Sequence, residues 1–334
     1  MSQETTSLGE FDLIRRFFMP RAAPGVAASA AAPGVILGIG DDAALLELPA
    51  GTELAAAVDT IVAGRHFPAG TDPRSIGHRA LAVNLSDLAA MGATPAWATL
   101  ALTLPSVDAR WLEGFSAGLL DLARAHGVAL VGGDTTRGPL TVSVQLLGHV
   151  PRGAALRRSG AQAGDLLAVT GTLGDAGAGL ALVAAPPQAR ADAAALDLIR
   201  RFEYPTPRVD FGAAARGLAT AAMDLSDGLV GDLPKLAEAS GLAARVAVER
   251  LPLSDAMRTK APLEQARDWA LAAGDDYELL LAVPPARFAA LESAAARLNL
   301  RLSAVGELFS GTGVTWSLNG EDFQPTVRGF DHFA

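Results

Sequence analysis

Nine aspartates stand in short motifs built around Gly, Ser or Thr. They are Asp41 and Asp42 in GIGDDAAL, Asp59 in AVDT, Asp87 in NLSDLAAMGA, Asp134 in GGDTTRGP, Asp224 and Asp227 in MDLSDGL, and Asp275 and Asp276 in GDDYE. Several follow apolar runs (VILGIGDD, VALVGGD, ATAAMDLSD), a pattern that places each carboxylate at a strand end where the backbone turns. Carboxylates gathered in this way repel one another unless cations neutralise them, and hard, oxygen-seeking ions such as Mg²⁺ suit that task. The chemistry suggested is a multi-metal site that handles a polyphosphate.

Each motif also has a purely structural reading. In GIGDDAAL the glycines permit positive φ and turn Asp41 and Asp42 toward a ligand; an Asp-rich turn or helix cap is the alternative. In GGDTTRG two glycines after an apolar strand let a phosphate approach backbone N–H groups, with Asp134 for a metal and Thr135 and Thr136 as donors. A strand-to-turn connection with Asx capping uses the same residues. MDLSDGL spaces Asp224 and Asp227 for one ion held directly and another through water, or caps a helix with Ser226 or Asp227. GTLGDAGAG has neither the Gly-Lys-Ser/Thr ending of a P-loop nor a GxGxxG pattern, and reads as a plain strand–turn–helix. His66 and His78 have no His or Cys partners at metal-ligand spacing, which argues against zinc. No G-x-S-x-G or Ser-His-Asp pattern offers a covalent nucleophile.

The elements that must position these motifs fall into two α+β regions of about equal size. In the first, Glu10–Phe18 reads as a short amphipathic helix and Ala22–Pro33 as a mobile loop without periodicity. Strands are expected at Val35–Ile39, Leu54–Val58, Trp97–Leu104, Ala129–Val131 and Thr141–Val150. Helices are expected at Arg74–Met91, which carries Asp87, and Asp108–His126. The alternation pauses at Pro151–Gly153, which predicts domains 1–150 and 151–334. The second region restarts with strands at Asp165–Thr170 and Ala221–Asp224; Ala270–Ala273 and Leu279–Val283 flank the GDDYE turn, and the chain ends in short strands and GFDHF. The expected helices of this region are Leu180–Ala184, Ala193–Phe202, Phe211–Leu218, Leu229–Ala239 and Leu291–Leu298.

Composition narrows the function further. The 334 residues are half apolar, mostly Ala, Leu and Val, as expected for a globular α/β-type protein with close helix packing. A net charge of -9 with no basic stripe argues against nucleic acid as partner. The absence of cysteine excludes disulfides and thiolate chemistry. MSQETTSLGEFDLIRRFF lacks the order of a signal peptide, and the apolar run Ala176–Pro186 is too short for a bilayer, which needs about 20 residues. A cytoplasmic protein without a membrane partner is therefore expected.

Taken together and in order, the motifs resemble the thiamine-monophosphate kinase family, within the ATP-binding superfamily that includes aminoimidazole ribonucleotide synthetase and selenophosphate synthetase. The resemblance is carried by GEFDLI, GIGDDAAL, VDTIVAGRHF, ALAVNLSDLAAMGATPAWATLALTLP, LVGGDTTRGPL, RSGAQAGD, VTGTLGDAGAGL, DLSDGLVGDL, GDDYEL and GFDHF, which run from residue 9 to residue 333. It implies an α+β, two-domain fold of the aminoimidazole ribonucleotide synthetase type, whose N-terminal domain forms a β-barrel with its twin in a homodimer. The C-terminal domain, an α/β sandwich, would complete the cleft for ATP and substrate. The implied activity is transfer of the ATP γ-phosphate to thiamine monophosphate. By this likeness Asp42, Asp59, Asp87, Asp134 and Asp224 would hold several Mg²⁺ ions, and Asp227 a further one. Gly133, Asp134, Arg158 and Ser226 would meet ATP; His66, Asp275 and Phe330 would line the substrate pocket. Ala57 and Val58 depart from the Ser-Thr pair usual before the aspartate of AVDT, so a metal contact at Val58 would use backbone oxygen. Asp275 replaces the usual Glu and is shorter by one methylene. Competing readings are a superfamily relative with another acceptor and a nucleotide-binding scaffold without turnover. A selenophosphate-type enzyme would need the reactive N-terminal Cys or selenocysteine that this sequence lacks.

Overall fold

Leu13 and Phe17, one helical turn apart, are buried while Arg15 and Arg16 face solvent, so Glu10–Phe17 forms an amphipathic helix, α1. It is the first element of a computed structural model that describes residues 10–19 and 32–330. The loop expected over Ala22–Pro33 lies outside the described residues except for its last two positions. The chain divides into two units. One comprises residues up to Asn84 with Pro95–Pro151, the other Leu85–Thr94 with the chain from Arg152 onward.

In the first unit, β1 (Val35–Leu37) and β2 (Leu45–Leu46) make a small antiparallel pair. There follow β3 (Thr52–Val62), α2 (Pro73–Ala90, which runs on into the second unit), β4 (Thr94–Leu104), α3 (Ala109–Ala125), β5 (Ala129–Arg137) and β6 (Thr141–Pro151). Four strands form one mixed sheet in the order β3-β6-β4-β5. β3 and β6 are antiparallel from Thr52↔Pro151 to Val62↔Thr141, and β4 and β5 run parallel. Within the chain the sheet is open, with no closed barrel among the described residues. Alternation along β6 buries Val142, Val144, Leu146 and Val150 on one face. α2 and α3 touch backbone to backbone: a Cβ on Gly77 would lie 2.0 Å from the Phe115 carbonyl oxygen, and one on Gly118 1.9 Å from that of Arg74. Asp108 caps α3 by accepting the Arg110 and Trp111 N–H groups.

The second unit contains β7 (Leu166–Thr170), α4 (Asp175–Val183), α5 (Ala193–Glu203), α6 (Val209–Ala215), β8 (Ala221–Leu225), α7 (Leu229–Ala239) and β9 (Leu242–Ala247). These are followed by α8 (Asp255–Lys260), α9 (Leu263–Ala272), β10 (Glu278–Val283), α10 (Pro285–Arg297), β11 (Leu302–Ser310), β12 (Val314–Leu318) and β13 (Glu321–Phe323). Its sheet runs β13-β12-β9-β11-β7-β10-β8, parallel at β12/β9 and antiparallel at the other registered pairs. Every residue of β10 and of β8, the end strand of the sheet, is buried, Asp224 and Glu278 included. The core joins Leu167, Val169, Leu280 and Ala282 of the sheet to Leu233 and Leu236 of α7, and each fully buried leucine contributes about 2 kcal/mol. The architecture is thus two-domain α+β with mixed sheets.

Three expectations from sequence need correction. Asp59 and Asp134 do not stand at strand ends: β3 continues to Val62 and β5 through GGDTTR to Arg137. Ladder pairing carries both strands past their polar residues. Gly133 supplies close approach rather than a turn, since a Cβ there would sit 2.0 Å from the Leu100 carbonyl oxygen of β4. Finally, the helix expected at Leu180 starts at Asp175. Gly179 masks its beginning in the sequence, yet it is the contact that lets α4 meet the Leu198 carbonyl of α5, 2.1 Å from where a Cβ would be.

Candidate functional site

In the first unit, GIGDDAAL and GGDTT open onto a common cleft of about 930 Å³. Asp41 and Asp42 line it from one side, Gly133 and Asp134 from β5, and Phe18 adds an apolar wall. All three carboxylates are exposed. Asp41 Oδ1 accepts the N–H of Asp42 at 2.8 Å, so Asp41 shapes the turn while Asp42 follows it at the cleft. Val58 and Asp59 lie on β3 opposite Gln145 and Val144 and are not in the cleft lining. Strand alternation points them to opposite faces, Val58 exposed and Asp59 half-buried. His66 folds back on the end of β3: its Nδ1 accepts the Val62 N–H at 3.0 Å, which leaves the neutral ring's proton on Nε2.

In the second unit three motifs meet at one turn. The Asp275 N–H donates to the Ser226 carbonyl at 2.9 Å, the Tyr277 N–H to Leu225 at 2.9 Å, and the Phe330 N–H to Asp227 at 3.0 Å. The structure therefore brings Ser226, Asp227, Asp275 and Phe330 together. Asp275 and Tyr277 both hold left-handed backbone, at φ 60 and 51, a strained conformation for residues with a Cβ. The Tyr277 hydroxyl donates to Asp275 Oδ1 at 3.1 Å. Asp224, next to last in β8, is buried and accepts the Ser86 hydroxyl at 2.8 Å, which ties it to the α2 turn that carries half-buried Asp87. Arg158 is exposed, and its carbonyl accepts the Ser240 hydroxyl at 3.1 Å.

Around this turn lie charged residues to which the motifs gave no role. Asp232, on the first turn of α7, is buried; its Oδ2 accepts the Ser226 and Asp227 N–H groups at 3.0 and 2.9 Å. Lys235 bridges Asp232 Oδ1 at 2.9 Å and Asp227 Oδ2 at 2.7 Å. Burial raises the Asp232 carboxyl above its ordinary range despite Lys235. Burial opposes the Lys235 charge, but its two carboxylate partners prevail and raise its pKa. A sequence signal for Asp232 did exist: it shares the apolar stripe of Leu229, Leu233 and Leu236, where an acid must have a buried partner.

A second network braces β10. Glu278 is fully buried and accepts from Thr170 Oγ1 at 2.6 Å, Arg201 Nη2 at 2.8 Å and Arg208 Nε at 2.7 Å. Burial alone would raise its carboxyl, but the Arg208 hydrogen bond and the charges of Arg208 and Arg201 hold it below the ordinary range. Asp276 takes the Gly174 N–H on both oxygens at 3.0 and 2.8 Å; there burial wins and pushes the carboxyl well up.

The donors on these motifs are carboxylate oxygens, which fit a hard cation such as Mg²⁺. Among the described residues no three His, Asp or Glu side chains gather closely enough to hold an ion by themselves.

The chain matches the family model of the AIR synthase related protein N-terminal domain over residues 40–150, and that of the C-terminal domain over residues 162–318. The thiamine-monophosphate kinase of Salmonella typhimurium is 46% identical over 327 residues, covering 98% of each chain. The crystal structure of thiamine-monophosphate kinase from Stenotrophomonas maltophilia K279a superposes with a TM-score of 0.82 at 47% identity, covering 87% of this chain and 93% of that one. The structure of AaThiL complexed with AMPPCP and TMP gives 0.75 at 32% identity, covering 86% and 89%.

Proposed function

The chain belongs to the thiamine-monophosphate kinase family, and on that premise we propose how its residues share the work of phosphorylating thiamine monophosphate with ATP. The γ-phosphorus–oxygen bond of ATP breaks, a bond forms to a phosphate oxygen of thiamine monophosphate, and ADP and thiamine diphosphate leave. The observation that carries this reading is likeness to a kinase of that name along 98% of the chain.

The obstacle is electrostatic. Two phosphate charges about 4 Å apart repel by about 4 kcal/mol at intermediate dielectric. Bound Mg²⁺ supplies the positive charge that offsets this repulsion. Asp42, Asp59, Asp87, Asp134, Asp224 and Asp227 would hold the ions, with the Val58 carbonyl in place of a side chain. Gly133, Asp134, Arg158 and Ser226 bind ATP in this reading, Gly133 by leaving open backbone and Arg158 as a fork for phosphate oxygens. His66, Asp275 and Phe330 hold thiamine monophosphate: His66 donates from Nε2, and Phe330 offers a ring face to the thiazolium cation. The acceptor needs no general base, because a phosphate monoester loses its second proton at a pKa of about 6. Positioning then supplies most of the catalysis.

The first unit is the proposed ATP- and Mg²⁺-binding and dimerisation domain. Leu54 and Val58 of β3, 52% and 64% exposed, support a homodimer that covers this sheet face and completes a barrel with its twin. No helix among the described residues is long and apolar enough to cross a membrane, in keeping with a cytoplasmic enzyme. Incubating the purified protein with ATP, Mg²⁺ and thiamine monophosphate tests the activity. Equal amounts of ADP and thiamine diphosphate are expected; neither rising above background would end this reading.

A further inference from the structure

We propose that Asp232 is a positioning residue for the nucleotide and its cation: it sets the Ser226–Asp227 turn in the geometry that binding needs. The inference rests on the kinase reading above. Asp232 is only 1% exposed, and one of its oxygens receives the N–H groups of two successive peptides, Ser226 and Asp227. Successive N–H groups aimed at one point form an anion-binding concavity; here the occupant is the protein's own carboxylate. The carbonyls of the same two residues are also engaged, Ser226 by the Asp275 N–H and Asp227 by the Phe330 N–H. The Ser226–Asp227 peptide is thus held at both its carbonyl and its N–H, and so is the Leu225–Ser226 peptide, whose carbonyl accepts the Tyr277 N–H, while the Asp227–Gly228 peptide is held at its carbonyl. Only side-chain torsions remain for Ser226 and Asp227 to adjust to a ligand. Lys235 completes the arrangement by joining the outer oxygen of Asp232 to the Asp227 carboxylate.

This role differs from that of a helix cap. A cap stabilises α7 and nothing else, whereas Asp232 links the start of α7 to the two residues proposed to meet ATP and metal. Losing it would free two half-buried N–H groups and let the turn sample other geometries, at a cost in affinity of about tenfold or more.

The test compares wild type, Asp232→Ala, Asp232→Asn and Asp232→Glu. Binding of β,γ-methylene-ATP with Mg²⁺ is measured by calorimetry, and exchange of the Ser226 and Asp227 amides by hydrogen–deuterium exchange without ligand. Asp232→Ala should weaken binding about tenfold or more and speed exchange at those two amides while β8 and β10 stay protected. Asn keeps an oxygen for both N–H groups and should bind within about threefold of wild type; Glu keeps the charge but moves the oxygen and should weaken binding about tenfold. In steady state the KM for ATP should rise more than kcat falls. If Asp232→Ala fails to fold, the Asn and Glu variants decide the matter. Wild-type protein that fails to bind the nucleotide would overturn the kinase reading and this inference with it. Wild-type binding matched by Asp232→Ala, or by Asp232→Glu where Ala does not fold, would overturn the inference alone.

Discussion

Carboxylates serve opposite purposes in the two units. In the first, Asp41, Asp42 and Asp134 are exposed around a cleft. In the second, Asp224, Asp232, Asp276 and Glu278 are buried, and each receives at least one donor from the protein. A buried carboxylate must be satisfied internally or it destabilises the fold, so its lone pairs are largely committed. An exposed one keeps them for a ligand and gives the fold little. Environment rather than residue type therefore separates open carboxylates from committed ones, and Asp224, proposed above as a metal ligand, is a buried one that accepts the Ser86 hydroxyl. The turn at Ser226–Asp227 is where the second unit combines the two, because committed Asp232 presents Asp227, whose side chain is still 29% exposed.

The largest expected effect comes from the open side of this comparison. Asp134→Asn should lower kcat on the order of 10³-fold, about 4 kcal/mol of barrier. The melting temperature should stay the same or rise, since an exposed carboxylate beside other acids is lost. Assay of product formation beside a thermal melt checks both. A variant that melted several degrees lower would place Asp134 in the scaffold and break the contrast.

On the committed side, Glu278→Gln should leave the Arg208 guanidinium without its buried counter-charge, and Arg201 with only Asp175 and Asp276, and destabilise the protein by about 3 kcal/mol in urea unfolding. Its pH dependence has a definite sign. The folded carboxyl titrates below the ordinary value of 4.5, so its stabilising contribution is present above that value. The contribution fades as pH falls through the lower folded value. The gap between wild type and Glu278→Gln should therefore be widest near neutrality and shrink below about pH 4.5. A gap that widened in acid would deny Glu278 its ion-pair role.

How much of this was legible in the sequence depended on the range of the interaction that decides each feature. α7 could be read to the residue at Leu229–Ala239, because Leu229, Leu233 and Leu236 repeat at helical spacing within one segment. The apolar run Leu279–Val283 could be placed beside the GDDYE turn, and it is the body of β10. β9 was missed: LAARVA is short and Ala-rich, and it becomes a strand through pairing with β11 and β12. The acidic motifs announced themselves through their glycines and serines. Arg201 and Arg208 did not, since they reach Glu278 from 77 and 70 residues away and sit in no recognisable motif. Asp59 and Asp134 were expected at strand ends, but their place inside strands follows from ladder partners that local sequence does not name.

The smallest and most diagnostic effect concerns Asp276. Its network sets two guanidiniums, Arg201 and Arg208, against three carboxylates, Asp175, Asp276 and Glu278. Arg208 and Arg201 both bond Glu278, while Asp276 has the Gly174 N–H and only the more distant charge of Arg201. One carboxylate is therefore short of charge compensation, and burial pushes the Asp276 carboxyl well above its ordinary 3.8. Because the folded value is raised, the associated stability is complete below about pH 3.8 and is lost as pH rises through the folded value. Asp276→Asn removes that loss while its amide oxygen can still accept the Gly174 N–H. The variant should be more stable than wild type by about 1 kcal/mol at pH 8, with the difference narrowing toward pH 5 in paired urea titrations. A variant less stable than wild type at pH 8 would mean that Arg201 holds Asp276 ionised to net advantage. Asp276 would then work as a charge, as Glu278 does.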